Sequence, residues 1–129
     1  MSSTSLQPTK TCLIVDDSKM IRRVAARIVK DMGFDVVHAA NGKEALNKCR
    51  GTMPHAILLD WAMPVMDGFG FLKALRQEKN GDTPIVVFCT AERSVERITQ
   101  ALENGADEYI MKPFDSDIIE SKFVLAGLV

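Results

Sequence analysis

The stretch Ala56-Ile57-Leu58-Leu59-Asp60-Trp61-Ala62-Met63-Pro64 decides the fold. Its apolar run is too short for an ordinary helix and is bracketed by Pro54 and Pro64, so it reads as a strand buried on both faces. The strand delivers one carboxylate, Asp60, at its C-terminal end. A second apolar run, Cys12-Leu13-Ile14-Val15, ends in the same way on Asp16 and Asp17. Two buried strands that terminate in acid point to a metal or phosphoryl site above the edge of a parallel sheet.

Working outward, the chain alternates two periodicities. Ile21, Val24, Ala25, Ile28 and Met32 recur at helical spacing after the first strand, with Ser18 as N-cap and Gly33-Phe34 as a Schellman stop. Asp35 to Ala39 is a short strand. Asn41-Gly42 opens a helix carrying Ala45, Leu46 and Cys49, which Gly51 closes. Beyond Asp60 a loop holds Met63-Pro64 and Met66-Asp67-Gly68, and the Asp67-Gly68 turn starts a helix presenting Phe71, Leu72 and Leu75 and ending at Asn80-Gly81-Asp82. Pro84 to Cys89 is a buried strand stopping at Thr90. Val95, Ile98, Ala101 and Leu102 mark a fourth helix ended by Gly105, and Asp107 to Met111 is a strand stopping at Lys112-Pro113. A last helix starts near Asp115, buries Ile118, Ile119 and Phe123, and has Gly127 placed to cap it. Five strand–helix units of this kind predict an α/β fold: a parallel sheet with helices on both faces and right-handed crossovers.

The chain's 129 residues, 47% hydrophobic, fit one domain, with neither repeat nor linker. A net charge of -1 gives no pull toward nucleic acid or anionic membrane, and Arg22-Arg23 reads as a solvated helix face. Met1 to Lys10 is Ser/Thr-rich without an apolar core; it reads as a flexible lead rather than a secretory signal, and no run reaches the roughly 20 residues of a membrane span. Cys12, Cys49 and Cys89 are too scattered for a disulfide framework and read as reduced core thiols in a cytoplasmic setting. His38 and His55 lack companions at metal-ligand spacing and read as strand-edge or turn residues.

In open parallel sheets ligands bind beyond the carboxyl ends of the strands. Those ends carry Asp16 and Asp17, Asp60, Thr90 and Lys112. Three carboxylates in one crevice repel, and a divalent hard cation removes the conflict; oxygen-only ligands favour Mg²⁺ over zinc. Lys112 and Thr90 would hold a phosphoryl group from further sides. Asp60, alone on its strand, is the candidate nucleophile for an aspartyl-phosphate, whereas Asp16-Asp17 form a pair suited to the metal.

The blocks Val15-Asp16-Asp17-Ser18, Asp60-Trp61-Ala62-Met63-Pro64-x-Met66-Asp67-Gly68, Thr90-Ala91-Glu92 and Lys112-Pro113-Phe114 together resemble the receiver domain of two-component response regulators, and most closely the single-domain chemotaxis-type regulators. The resemblance runs from Thr11 to the end of the chain, so residues 11–129 are expected to form the receiver domain. It implies a flavodoxin-like doubly wound (βα)5 fold with a five-stranded parallel sheet in the order 2-1-3-4-5. It implies that Asp60 is phosphorylated from a phosphohistidine on a histidine kinase or histidine phosphotransfer protein. Mg²⁺, with Mn²⁺ as a substitute, would be held by Asp17 and Asp60, by Asp16 through water, and by the backbone carbonyl of Ala62. Lys112 would pair with the phosphoryl group, the bond to Pro113 would be cis, and Thr90 with Tyr109 would form the switch. The resemblance also implies that Ala62 and Glu92 would occupy the positions that tune hydrolysis, and Ala62 is smaller than the polar residues often found there in the family.

Two other classes compete with this reading. A haloacid dehalogenase-type phosphatase would need a second Asp two residues after its nucleophile, where this chain has Ala62. A flavodoxin-like FMN carrier would need a hydroxyl-rich phosphate loop where Asp16-Asp17 would repel the ligand. The chain is therefore expected to be a phosphoacceptor rather than an enzyme on external substrates. No DNA-binding segment follows Val129 in this sequence, so the expected output is docking of an unidentified protein, or onward relay, at the face of the fourth helix, fifth strand and fifth helix. A monomer is expected, with a phosphorylation-linked dimer as the second state. The outer side of the fourth helix, with Arg93, Glu96, Arg97 and Gln100, reads as a plain polar face.

Overall fold

A computed structural model describes residues 9–129, so most of the expected N-terminal lead lies outside the described residues. Five parallel strands, β1 (Thr11–Val15), β2 (Asp35–Ala39), β3 (Ala56–Leu59), β4 (Ile85–Thr90) and β5 (Glu108–Met111), stand in the order β2-β1-β3-β4-β5. The helices between and after them are α1 (Lys19–Asp31), α2 (Gly42–Gly51), α3 (Gly68–Gln77), α4 (Val95–Glu103) and α5 (Ser116–Leu125). The expected fold and strand order are those observed.

The sheet divides the core in two because successive strand residues point to opposite faces. Leu13 and Val15 of β1 join Ile57, Leu59, Val86 and Phe88 under Leu46, Phe71, Leu72 and Leu75, whereas Cys12 and Ile14 join Leu58 and Val87 under Ala25, Val29, Ile119 and Phe123. Both faces of the central strands are thus covered, which is why β3 reads as unbroken Ala-Ile-Leu-Leu. The three cysteines are free and buried within these layers, and burial pushes the Cys12 and Cys89 thiols up to about 12.

Caps fix the helix boundaries. Side chains of Ser18, Asn41, Asp67, Ser94 and Asp115 each accept from a first-turn amide. Gly33, at φ 97°, completes the expected Schellman stop: Phe34 N–H donates to the Val29 carbonyl at 3.0 Å, and Phe34 is buried edge-on to Phe123.

A boundary and a packing assignment differ from expectation. α2 ends at Gly51 as expected, with Thr52 as its C-cap, whereas α3 ends at Gln77, before Asn80 turns the chain at φ 63°. Ile118, expected to be buried, is 40% exposed, whereas Val24, Leu102 and Val95, which mark their helices as expected, are 47%, 44% and 76% exposed. Helical spacing marks a stripe, but only its centre meets the sheet: in α4 just Ala101 is fully buried. The outer turns of α1, α4 and α5 therefore keep apolar side chains in solvent.

The loop after β3 is tightly closed by backbone contacts. Gly68 N–H donates to the Trp61 carbonyl at 2.8 Å, and a Cβ on Gly68 would stand 2.1 Å from the Asp60 carbonyl oxygen. Gly42 N–H closes the same loop from α2 by donating to the Met66 carbonyl at 2.8 Å. Val65 sits between them at φ 70°, in a turn where Met66 N–H donates to the Pro64 carbonyl at 2.8 Å. A β-branched residue is poorly suited to that conformation, and Val65 is 78% exposed, so it gains little in return. Val65→Asn is expected to stabilise the fold by about 1 kcal/mol, a rise of about 4 °C in the thermal midpoint. Gly68→Ala is expected to cost about 3 kcal/mol; calorimetric unfolding checks both.

Candidate functional site

Asp16, Asp17, Asp60 and Lys112 are the first or second residues beyond their strands, and Thr90 is the last residue of its own. The ladder continues past the strand ends to place them: Asp16 N–H donates to the Ala39 carbonyl at 3.1 Å, Asp60 N–H to the Val15 carbonyl at 2.9 Å, and Lys112 N–H to the Thr90 carbonyl at 2.9 Å. Asp16, Asp60 and Thr90 are the buried polar residues of the described chain.

Asp16, Asp17 and Asp60 each offer a carboxylate oxygen, and these lie within 4.8 Å of one another. The Lys112 ammonium donates to Asp16 Oδ2 at 2.7 Å and stands 3.3 Å from Asp60 Oδ2. The Lys112-Pro113 peptide bond is cis, as expected. Asp60 Oδ1 accepts from the Trp61 amide at 2.8 Å, and Asp16 Oδ1 from the Ser18 amide at 2.9 Å. Arg22 donates to the Asp16 carbonyl at 2.5 Å, tying α1 to the end of β1. Asp17 is the solvent-facing member of the three.

Burial and the Asp16 charge push the Asp60 carboxyl above its ordinary value, although Lys112, Thr90 and the Trp61 amide oppose the shift. Burial works against the charge on Lys112, but hydrogen bonding to Asp16 and the field of Asp60 outweigh it and raise its pKa. Burial, joined by the Asp16 charge, thus disfavours the ionised Asp60 carboxyl more than one ammonium offsets.

Thr90 does not cap α4; Ser94 does. The Thr90 hydroxyl instead accepts from the Glu92 amide at 3.3 Å, inside the loop that leads to α4. Tyr109 reaches that loop from β5, its hydroxyl donating to the Glu92 carbonyl at 2.6 Å. Burial, with Glu92 and Asp60 nearby, lifts the phenol to about 12. An aromatic row runs from the site toward β5: Trp61 stacks on Phe69 at 5.3 Å and lies 5.1 Å from Phe88, which lies 6.2 Å from Tyr109. Ala62 and Glu92 both line the cavity of about 350 Å³ beside Asp60, together with Trp61, Thr90, Ala91, Arg97 and Lys112.

Arg97 was not among the expected site residues. Its guanidinium pairs with Glu92 at 3.0 Å and lies over the Trp61 ring, 5.9 Å from the centroid. The pair spans five residues across a helix start, a spacing that no helical side-chain rule flags.

The sequence matches the response regulator receiver domain over residues 12–123. This chain belongs to that family. It is similar to the chemotaxis response regulator CheY4 of Vibrio cholerae, with a TM-score of 0.86 and 32% identity over 92% of this chain and 99% of that one. A chain of the CheX-CheY-BeF3-Mg²⁺ complex from Borrelia burgdorferi gives a TM-score of 0.83 at 29% identity, covering 93% of this receiver chain and 90% of its own. A probable transcriptional regulator, ycf27, of Guillardia theta is 38% identical over 117 residues, which are 91% of this chain and 45% of that protein. The receiver chain thus spans less than half the length of such curated relatives. No helix among the described residues is long and apolar enough to cross a membrane.

The raised carboxyl of Asp60 sets a pH dependence. Its ionised form is disfavoured in the fold, so the stability linked to its protonation is full below the unfolded value of 3.8 and is lost as pH rises through the folded one. Asp60→Asn is therefore expected to raise the melting temperature of metal-free protein by a few degrees at neutral pH. The gain should vanish toward pH 3, as read by melting curves across pH.

Proposed function

We propose that this receiver domain takes a phosphoryl group onto Asp60 from a phosphohistidine of a sensor kinase or phosphotransfer protein. The observation that carries the reading is the meeting of Asp16, Asp17 and Asp60 with Lys112, which is 96 residues from the Asp16 it contacts. In the transfer a carboxylate oxygen of Asp60 forms the new bond to phosphorus and the P–N bond breaks. The electron pair goes to the imidazole nitrogen, which takes a proton from water.

The donor set fits a divalent hard cation: three carboxylates within reach of one another, no nitrogen or sulfur ligand in the cluster among the described residues, and an Asp60 carboxyl raised by burial and by the Asp16 charge. Asp17 and Asp60 would hold Mg²⁺, supported by Asp16 and the Ala62 carbonyl. When bound, the ion offsets the negative charge of carboxylates and phosphoryl group. Lys112 neutralises a phosphoryl oxygen, and the Thr90 hydroxyl, released from the Glu92 amide, donates to another. Tyr109 then loses the loop geometry that holds its hydroxyl on Glu92, and the α4-β5-α5 face changes shape. Only such differential contact shifts a population, and a change from 1:99 to 99:1 takes about 5.5 kcal/mol. A few charge-assisted hydrogen bonds supply energy of that order.

The chain turns over no external substrate in this reading; its covalent chemistry is confined to its own carboxylate. The output is docking of a partner protein at the α4-β5-α5 face of a cytoplasmic monomer, with phosphorylation-linked pairing as the second state. Incubation with Mg²⁺ and a small phosphodonor should add the mass of one phosphoryl group, labile to hydroxylamine. Asp60→Asn or chelation should abolish the addition. Incorporation that survives Asp60→Asn would place the acceptor elsewhere. Mg²⁺ should also change the emission of Trp61, the sole tryptophan and the neighbour of Asp60; an unchanged spectrum would count against metal at this site.

A further inference from the structure

Charge balance at the site leaves one cation without an assigned task. Three carboxylates, one ammonium and a divalent ion sum to neutrality. Phosphorylation turns the Asp60 carboxylate into an uncharged acyl oxygen but adds a dianion, so the site gains one negative charge. Apart from Lys112, the cation lining the cavity beside Asp60 is Arg97.

In the unphosphorylated protein Arg97 is engaged with Glu92 Oε2 at 3.0 Å, and its guanidinium lies 5.9 Å from the centre of the Trp61 ring. The ion pair is loose in energetic terms, because the Arg97 side chain is 55% exposed and exposed pairs are worth little. A phosphoryl dianion is a stronger partner for a guanidinium than one solvated carboxylate, since it offers several acceptor oxygens and matches the planar fork. Trp61, the neighbour of Asp60 in sequence, gives the guanidinium a platform over which to move.

We propose that Arg97 exchanges Glu92 for the phosphoryl group when Asp60 is phosphorylated, acting as a further phosphoryl-binding cation supplied by α4. The proposal rests on Asp60 being the phosphoacceptor. It gives Glu92 a competing role: in the resting state its carboxylate holds Arg97 back while its other oxygen accepts from the Ser94 amide at 2.9 Å. The exchange would also draw on the first turn of α4, where Arg97 sits three residues after the Ser94 cap.

The competition makes opposite predictions for the two partners. Beryllofluoride, a phosphoryl mimic, is titrated in saturating Mg²⁺ by calorimetry, so that the readout does not depend on Trp61 itself. Arg97→Gln should weaken binding about 5-fold and Arg97→Lys less, because an ammonium cannot form the fork. Glu92→Gln keeps the acceptor for Ser94 but frees Arg97, and should tighten binding about 3-fold. The tightening should disappear in the Glu92→Gln, Arg97→Gln double variant. Equal affinities for wild type and Arg97→Gln, or weakening by both single variants, would overturn the exchange while leaving Asp60 as acceptor. A wild-type protein that fails to bind the mimic would overturn the phosphoacceptor reading and this inference with it.

Discussion

Repulsion among three carboxylates held at one sheet edge is the constraint on which the remaining site depends. Asp16 and Asp60 are buried, and their donor atoms, with that of Asp17, lie within 4.8 Å of one another. Left alone, such a cluster takes up protons or moves apart. The fold prevents separation, because Asp16 and Asp60 directly continue neighbouring parallel strands. Lys112 supplies partial relief through 2.7 and 3.3 Å contacts, yet burial, joined by the Asp16 charge, still holds the Asp60 carboxyl above its ordinary value. A site built this way favours added positive charge and, once that is present, an anionic group to share it.

The same edge couples the site to distant surfaces. β4 ends beside β3 and β5 beside β4, so Thr90 and Lys112 meet the carboxylates while the Tyr109 hydroxyl rests on the loop after Thr90. Trp61, Phe69, Phe88 and Tyr109 give the connection a packed aromatic spine. α4 is the least buried of the helices by this measure, with Ala101 its one fully buried residue. A loosely seated helix at the end of a rigid site is suited to population shifts, because few contacts must be exchanged to move it.

The central strands were legible because burial on both faces removes polar residues altogether, leaving runs such as Ile57-Leu58-Leu59. The site was legible for a related reason: charged side chains directly after such runs have one place to go. Caps at Ser18, Asn41 and Asp67 followed from local hydrogen-bond chemistry. Ile118 misled because spacing marks a stripe without saying how wide the contact is. Thr90 was legible as a site residue because it ends a buried strand, and the loop after it leaves the capping of α4 to Ser94. Val65 and Arg97 were invisible for a different reason: positive φ at a β-branched residue, and an ion pair across a helix start, are set by tertiary closure and carry no local signature.

The most direct test of the convergence is anomalous diffraction from crystals of the full chain soaked in Mn²⁺. The account predicts one strong peak among the carboxylates of Asp16, Asp17 and Asp60, lost in crystals of Asp17→Asn. Density absent there, with manganese bound instead at an unrelated acidic surface, would contradict it.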